Sequence, residues 1–277
     1  MSTDDEWEKW GKQDPYFGVI TAEKFRSKNL NESSLVEFFE SGEKHVRHVV
    51  EVSKQHLNEH FSPKHILDFG CGTGRLVIPF SRIADRVVGL DVSESMLNEA
   101  RKNCEKYSAT NVDLRKSDDD LSEVRGEFDL VHSCIVFQHI PFIRGRQIFS
   151  NLLSYLKDGG VCAIQLTYAK SIYKDNLGIA PSSSSLPPPN NHLLFRSKAF
   201  MRKLLGAMKP KGRKKTTDHQ RPVHSDPEMQ MNSYDLNVVF FIIQSMGIET
   251  IHVEFTDHGG ELGTWLFFKK PGAVHLY

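Results

Sequence analysis

KHILDFGCGTGRL occupies residues 64–76. An apolar run ends in Asp68, glycine recurs at positions 70, 72 and 74, and an amphipathic stretch begins at Arg75. Glycine is costly to keep ordered, so alternate glycines between a strand and a helix mark a close backbone approach. Such a turn aims backbone N–H groups at a ligand. Dinucleotide enzymes use GxGxxG, whose third glycine lets helix and strand pack around a pyrophosphate. Here the spacing is GxGxG, with Arg75 and Leu76 where the later glycine would come. An acid ahead of the first glycine suits a ligand with a positively charged amine better than a pyrophosphate.

Outward from this turn, short apolar runs alternate with amphipathic segments. HILDF precedes residues 75–83, RVVGL precedes 94–107, VDLRK follows, FDLVHS precedes 142–156, and VCAIQLTY comes last. That alternation predicts a parallel sheet flanked by helices. Residues 1–62 read as a mostly helical N-terminal cap, with Leu35, Phe38 and Phe39 at helical spacing and a less regular pattern after Gly42. The core spans 63–168. The alternation stops at Ala169, and residues 169–231 read as an insertion carrying PSSSSLPPP and a short helix candidate at 193–208. Residues 232–277 complete the core. Ser233 is expected to cap a helix over 234–245 that stops at Gly247. IETIHVEFT and TWLFFKK, joined by a short loop, predict an antiparallel hairpin.

The chain has 277 residues, 39 % of them hydrophobic, and its 35 basic residues balance its 35 acidic ones. Neutrality argues against a general nucleic-acid or membrane-surface binder. Four scattered cysteines form no CxxC pair and read as reduced thiols, which together with an acidic, aromatic N-terminus predicts a cytoplasmic location. The longest apolar run, VVFFII, is too short to span a bilayer. No residue pattern requires a metal. His45 and His48 share a helix face without a third ligand, and His258 with Asp257 and Glu261 reads more readily as a solvated turn.

The segment 64–76 resembles motif I of the class I S-adenosylmethionine-dependent methyltransferases. Four further elements follow in the family's order: RVVGLDVSESML (86–97), SDDD (117–120), FDLVHSCIVFQHIP (128–141) and LLSYLKDGGVCAIQL (152–166). The resemblance implies an α/β fold with a seven-stranded, mostly parallel, doubly wound sheet and an antiparallel last strand. It also implies S-adenosylmethionine as cofactor, held by Asp68, Gly70, Cys71, Gly72, Gly74, Asp91, Val92, Met96, Asp118 and Ser133. Asp91 is expected to accept from the ribose hydroxyls, since Ser93 can take over the cap of the next helix. Asp118, in preference to Asp119, is expected to accept from the adenine amino group. Val92 and Met96 either pack on adenine and ribose or belong to the core, and Cys71 is a small filler of the loop.

Methyl transfer from a sulfonium needs alignment and exclusion of water. A hydroxyl acceptor also benefits from a base. His139, just beyond the fourth strand, is the candidate, because an imidazole titrates near neutrality; the alternative is that it packs the following helix. Trp7, Trp10, Tyr16 and Phe17 crowd an otherwise polar stretch. Tyr16 and Phe17 are candidates to meet substrate or shield the sulfonium, and the alternative is that they anchor the cap. Between 193 and 221 ten basic residues face one acid. This stretch reads either as a solvated loop or as a lid drawing an anionic acceptor, with a membrane surface as a further fit. The expected activity is methyl transfer to a small polar acceptor, a hydroxyl of a sugar or natural-product intermediate. The alternatives are N-methylation of a small molecule and non-catalytic cofactor binding. A nucleic-acid substrate is not expected, because HSCIVFQH lacks the proline-rich signature of base-amino methylation.

Overall fold

The computed structural model describes residues 2–180 and 226–272. The helix candidate at 193–208 and the basic stretch 193–221 lie outside the described residues. The cap consists of α1 (Thr3–Gln13), α2 (Pro15–Val19), a short 3-10 helix (Glu23–Phe25) and α3 (Glu32–His56). The core follows as β1 (His65–Phe69), α4 (Val77–Ser81), β2 (Arg86–Asp91), α5 (Glu94–Lys106), β3 (Val112–Lys116) and β4 (Phe128–Ser133). After a 3-10 helix (Phe137–His139) come α6 (Phe142–Ser154), β5 (Leu156–Lys170), a 3-10 helix (Ser171–Asn176), α7 (Leu236–Ser245), β6 (Ile251–Asp257) and β7 (Glu261–Lys269).

One sheet of seven strands has the order β3-β2-β1-β4-β5-β7-β6. β1 pairs in parallel with β2 and β4, and β7 runs antiparallel to both β5 and β6. Strand order reverses between β1 and β4, the place where open α/β sheets form a ligand crevice at their carboxyl ends. Alternate residues feed the two faces of the sheet. Ile66, Leu130, Val161, Ala163 and Phe267 face the cap with Phe38 and Val49. Leu67, Val131, Cys162, Ile164, Leu266 and Phe268 join Ile148, Leu152 and Val239 on the opposite side. Phe38 is fully buried, with Tyr16, Phe25 and Phe39 meeting its ring edge-on.

Four local features differ from the pattern read in the sequence. α3 runs unbroken through Gly42, because a side chain there would put a Cβ 2.2 Å from the Arg75 carbonyl oxygen; the glycine buys close packing, not a break. α7 starts two residues later than expected, capped by Asp235, whose side chain accepts from the Asn237 N–H. The helix after the glycine turn shortens to Val77–Ser81. β5 reaches Lys170, so regular structure runs past the expected core edge. Residues 226–234 return as a strap over the carboxyl edge of the sheet. Glu228 N donates to Glu6 (2.8 Å), Asn232 N to the Gln138 carbonyl (2.6 Å) and Tyr234 N to the Thr167 carbonyl (2.8 Å).

Candidate active site

The glycine turn begins where β1 ends. Gly70, Gly72 and Gly74 all have positive φ (78°, 53° and 90°), a region that side chains enter at a cost. A Cβ at Gly70 would lie 2.2 Å from Val136, and one at Gly72 would lie 2.7 Å from Val19. Gly74 instead faces Ala100 of α5, so its bareness serves helix packing. Above the turn lies a cleft of about 800 Å³, mouth included. Its floor is Phe69, Gly70, Gly72, Asp91, Val92 and Met96; one wall is Ser117, Asp119, Arg144 and Ile148; the other carries Cys134, Ile135, Val136, His139 and Ile140. Thr3, Asp4 and Trp7 of α1 and Gly18 and Val19 of α2 cover it.

Asp91 ends β2. Its carboxylate accepts from Gly72 N (2.8 Å) and Ser93 N (2.9 Å). Burial pushes its pKa up to about 6, against those two bonds. Each oxygen keeps a lone pair for a second donor. Ser93 does cap α5, accepting from Met96 N at 3.1 Å. Glu8 of α1 reaches the same helix start, accepting from Ser93 Oγ (2.8 Å), Ser95 N (3.1 Å) and Ser95 Oγ (2.7 Å). Burial opposes its charge, yet those bonds hold the carboxyl down at about 2.

His139 is buried, with the Trp7 ring edge-on at 4.9 Å between centroids. Its Nδ1 lies 2.8 Å from the Gln230 carbonyl oxygen of the strap, and its Nε2 lies 3.2 Å from the Gln138 amide nitrogen. Burial lowers its pKa to about 4, so the ring is neutral at pH 7.

Of the expected site residues, Gly70, Gly72, Asp91, Val92, Met96 and His139 line the cleft. Others are placed elsewhere. Asp118 turns away and accepts from the backbone N–H and hydroxyl of Ser122, while Asp119 faces the cleft. Ser133 Oγ donates to the Phe69 carbonyl (2.9 Å), tying β4 to β1. Cys71 is buried beside Gly89, and burial pushes its thiol well up. Tyr16 donates to Glu99 (2.9 Å) of α5 and also lies 3.1 Å from Asn103 of that helix, and Phe17 lies under the Arg26 guanidinium (3.6 Å), so both anchor the cap. The aromatic that reaches the cleft from this stretch is Trp7.

Asp68 lies beneath the turn, outside the cleft lining. Its Oδ1 is 2.7 Å from His132 Nδ1, whose Nε2 is 2.9 Å from His45 Nε2. Its Oδ2 is buried with no partner. His45 therefore belongs to a buried chain, not to a surface ligand set with His48, which pairs with Glu254 (2.7 Å). Glu261, near His258, pairs with Lys170 (3.2 Å). Among the described residues no group of three His, Cys, Asp or Glu side chains could hold a metal ion.

Sequence reasoning expected an N-terminal cap over the site but named Tyr16 and Phe17 where Thr3, Asp4 and Trp7 line the cleft, and it chose Asp118 where Asp119 does. Asp4, Arg144 and Asp119 meet only because α1 and α6 fold together. Ile135 carried no sequence signal, but its φ of 59° is unusual for a β-branched residue and costs about 1–3 kcal/mol, spent where the chain turns into the cleft.

A nucleotide-sized ligand with ribose hydroxyls fits this floor: two bare glycines let it approach the backbone, and a half-buried carboxylate with spare lone pairs lies beside them. Comparison with known proteins agrees with that fit. Residues 66–160 match the family model described as "Methyltransferase domain". A ubiquinone biosynthesis O-methyltransferase from Nitrobacter winogradskyi is 32 % identical over 98 residues, 35 % of this chain and 36 % of that one. A magnesium-protoporphyrin O-methyltransferase from Synechocystis is 28 % identical over 142 residues, 51 % of this chain and 60 % of that one. The matched regions thus span less than two thirds of these curated relatives. Among solved structures, magnesium protoporphyrin IX methyltransferase from Synechocystis with bound S-adenosylhomocysteine superposes with a TM-score of 0.57 at 15 % identity, covering 97 % of this chain and all of that one. The N-methyltransferase NodS from Bradyrhizobium japonicum gives 0.55 at 11 % identity, covering 98 % and 100 %. Residues 66–160 therefore match a methyltransferase domain, and the chain is similar in fold to S-adenosylmethionine-dependent methyltransferases.

Proposed function

We propose that this chain binds S-adenosylmethionine in the cleft above Gly70 and Gly72 and methylates a small polar molecule at a hydroxyl. The observation that carries this reading is the Asp91 carboxylate at the cleft floor beside two glycines that leave no side chain in the way. S-adenosylmethionine, when bound, supplies a methyl group already activated on a sulfonium. Asp91 would accept the ribose hydroxyls, and Asp119, not Asp118, would meet the adenine amino group. Met96 and Val92 supply apolar contact. Trp7 and the rest of α1 exclude water, which strengthens every polar contact inside.

His139 is the group on the acceptor side that can accept a proton. Its Nδ1–H is committed to the Gln230 carbonyl, so the Nε2 lone pair is the basic site. Loss of the acceptor proton to that nitrogen frees the oxygen lone pair for the methyl carbon. An acceptor N–H satisfies the same lone pair, which keeps N-methylation of a small molecule as the second reading. Cys71, Cys104, Cys134 and Cys162 are unpaired, in keeping with a reducing, cytoplasmic setting. Among the described residues no helix is long and apolar enough to cross a membrane. An anionic acceptor rests on the basic stretch 193–221 alone.

The test is isothermal titration with S-adenosylmethionine and with NAD, followed by a screen of hydroxyl and amine acceptors for S-adenosylhomocysteine release. Binding of S-adenosylmethionine, its weakening in Asp91→Ala, and a methylated product support the reading. Binding of NAD without S-adenosylmethionine overturns it.

A further inference from the structure

The hydrogen bonds around His139 form a directed chain. The Gln230 oxygen, 2.8 Å from Nδ1, can only accept, so Nδ1 carries the proton. A neutral imidazole has one N–H, so Nε2 presents its lone pair. The Gln138 amide must therefore turn its NH2 end to Nε2, at 3.2 Å. The opposite end agrees: Gln138 Oε1 accepts from the Thr167 hydroxyl at 3.0 Å. Gln138, His139 and Thr167 are all buried. The Gln138 backbone is also held, its carbonyl accepting from Asn232 N (2.6 Å) and Asn232 Nδ2 (3.2 Å). Were the amide reversed, its oxygen would face the Nε2 lone pair. Shifting the ring proton to relieve that contact would set the Nδ1 lone pair against the Gln230 oxygen. Neither arrangement is tolerable where no water can intervene.

We infer that Gln138 is the positioning residue of the site: aligned by Thr167, it donates to the Nε2 lone pair of the Nδ1–H tautomer that Gln230 fixes, and occupies that lone pair until an acceptor X–H takes its place. The inference rests on the reading that His139 meets the acceptor. The groups facing the ring are neutral: the Trp7 edge from α1, the Gln138 amide, and the Gln230 carbonyl from the strap. Asp4, Arg144 and Asp119, also in the cleft, are paired with one another.

The experiment is ¹⁵N NMR of the full chain with labelled histidine, without acceptor, His139 being assigned by its loss in His139→Gln. At pH 7 the expected His139 pattern is a protonated Nδ1 and an unprotonated, hydrogen-bonded Nε2. Gln138→Glu places a carboxylate at Nε2 and is expected to raise the ring's titration by about 1 to 3 pH units, the effect of an adjacent opposite charge. Gln138→Leu keeps the tautomer and moves the Nε2 resonance toward that of a bare lone pair, which serves if the Glu variant does not fold. A proton on Nε2 in the wild type, or an Nε2 resonance unmoved in Gln138→Leu, overturns the inference. In the turnover assay, Gln138→Glu shifts the acid limb of the kcat profile with the NMR titration, which a residue of purely structural role would not do. If the NMR results hold and no acceptor releases S-adenosylhomocysteine, the methyltransferase reading fails while the positioning of His139 stands.

Discussion

Asp4 of α1 and Arg144 of α6 meet end-on, with Oδ1 to Nη1 at 2.6 Å and Oδ2 to Nη2 at 2.8 Å. The same guanidinium turns its Nε to both oxygens of Asp119, at 2.7 and 2.8 Å. One cation thus joins the cover of the cleft to its wall. The three side chains are roughly a quarter to two fifths exposed, so water and salt weaken the link. Arg144→Ala is expected to cost at most about 1 kcal/mol of stability. It should also speed release of bound S-adenosylmethionine about fivefold, the kinetic equivalent of that energy. Stopped-flow release at low and high salt checks this: the wild-type rate should climb with salt and the variant's should not.

Asp91 predicts a pH dependence of cofactor binding. Burial raises its carboxyl to about 6, and hydroxyl donors favour its ionised form. Affinity should therefore be full above pH 7 and decline as pH falls through 6. Asp91→Ala is expected to lose about 1.5 to 3 kcal/mol of binding, the range for a hydrogen bond to a charged group, and to flatten the dependence. Calorimetry at pH 5.5, 6.5 and 7.5 reads both.

His139→Ala is expected to lower turnover by about 10²- to 10⁴-fold with cofactor affinity little changed. Single-turnover assays check it. Near-normal turnover would assign His139 to packing alone.

Stability should fall on the acid side for a reason visible in two rings. Burial lowers the pKa of His139 to about 4 and puts that of His45 well below its usual value. Between pH 6.5 and 4 the unfolded chain binds protons that the native ring of His139 refuses. Its contribution is therefore fully present above pH 6.5 and is lost as pH falls toward 4, by about 3 kcal/mol at most. Asp91 works in the opposite sense between about 4 and 6, since its native pKa is raised. Urea unfolding at pH 7.5, 6 and 5 should show a shallower decline in His139→Gln than in the wild type.

Gly42→Ala tests the seat of α3. A Cβ there would lie 2.2 Å from the Arg75 oxygen, which is backbone and cannot swing aside. Overpacking of about 1–3 kcal/mol should outweigh the gain of about 1 kcal/mol in helix propensity. A thermal midpoint equal to or above the wild type would show that α3 sits looser than this contact implies.

The sequence by itself determined the alternation of strands and helices, the glycine turn, the acid closing β2 and the hairpin, while the seven-stranded class of fold followed from the resemblance to a family. The first four are written locally. Period-two and helical apolar patterns, glycines at positive φ, and Ser93 as a cap all act within a few residues. The same information placed Gly70, Gly72, Asp91, Val92, Met96 and His139 at the cleft, because β1, β2 and β4 carry them there by topology. The direction of individual side chains in loops was not legible. Asp118 and Asp119 are chemically alike, and only the approach of Arg144 from α6 and the turn of Ser122 decide which one faces inward. Tyr16 and Trp7 are both aromatic, and the packing of α2 on α5 and of α1 over the cleft sends one to an anchor and the other to the site. The tautomer of His139 depends on Gln230, 91 residues away, and the turn of the Gln138 amide on Thr167 behind it. Such pairings arise from long-range closure, where a hydrogen bond goes to whichever donor the fold brings near. No periodicity in the chain encodes that choice; the tertiary structure alone makes it.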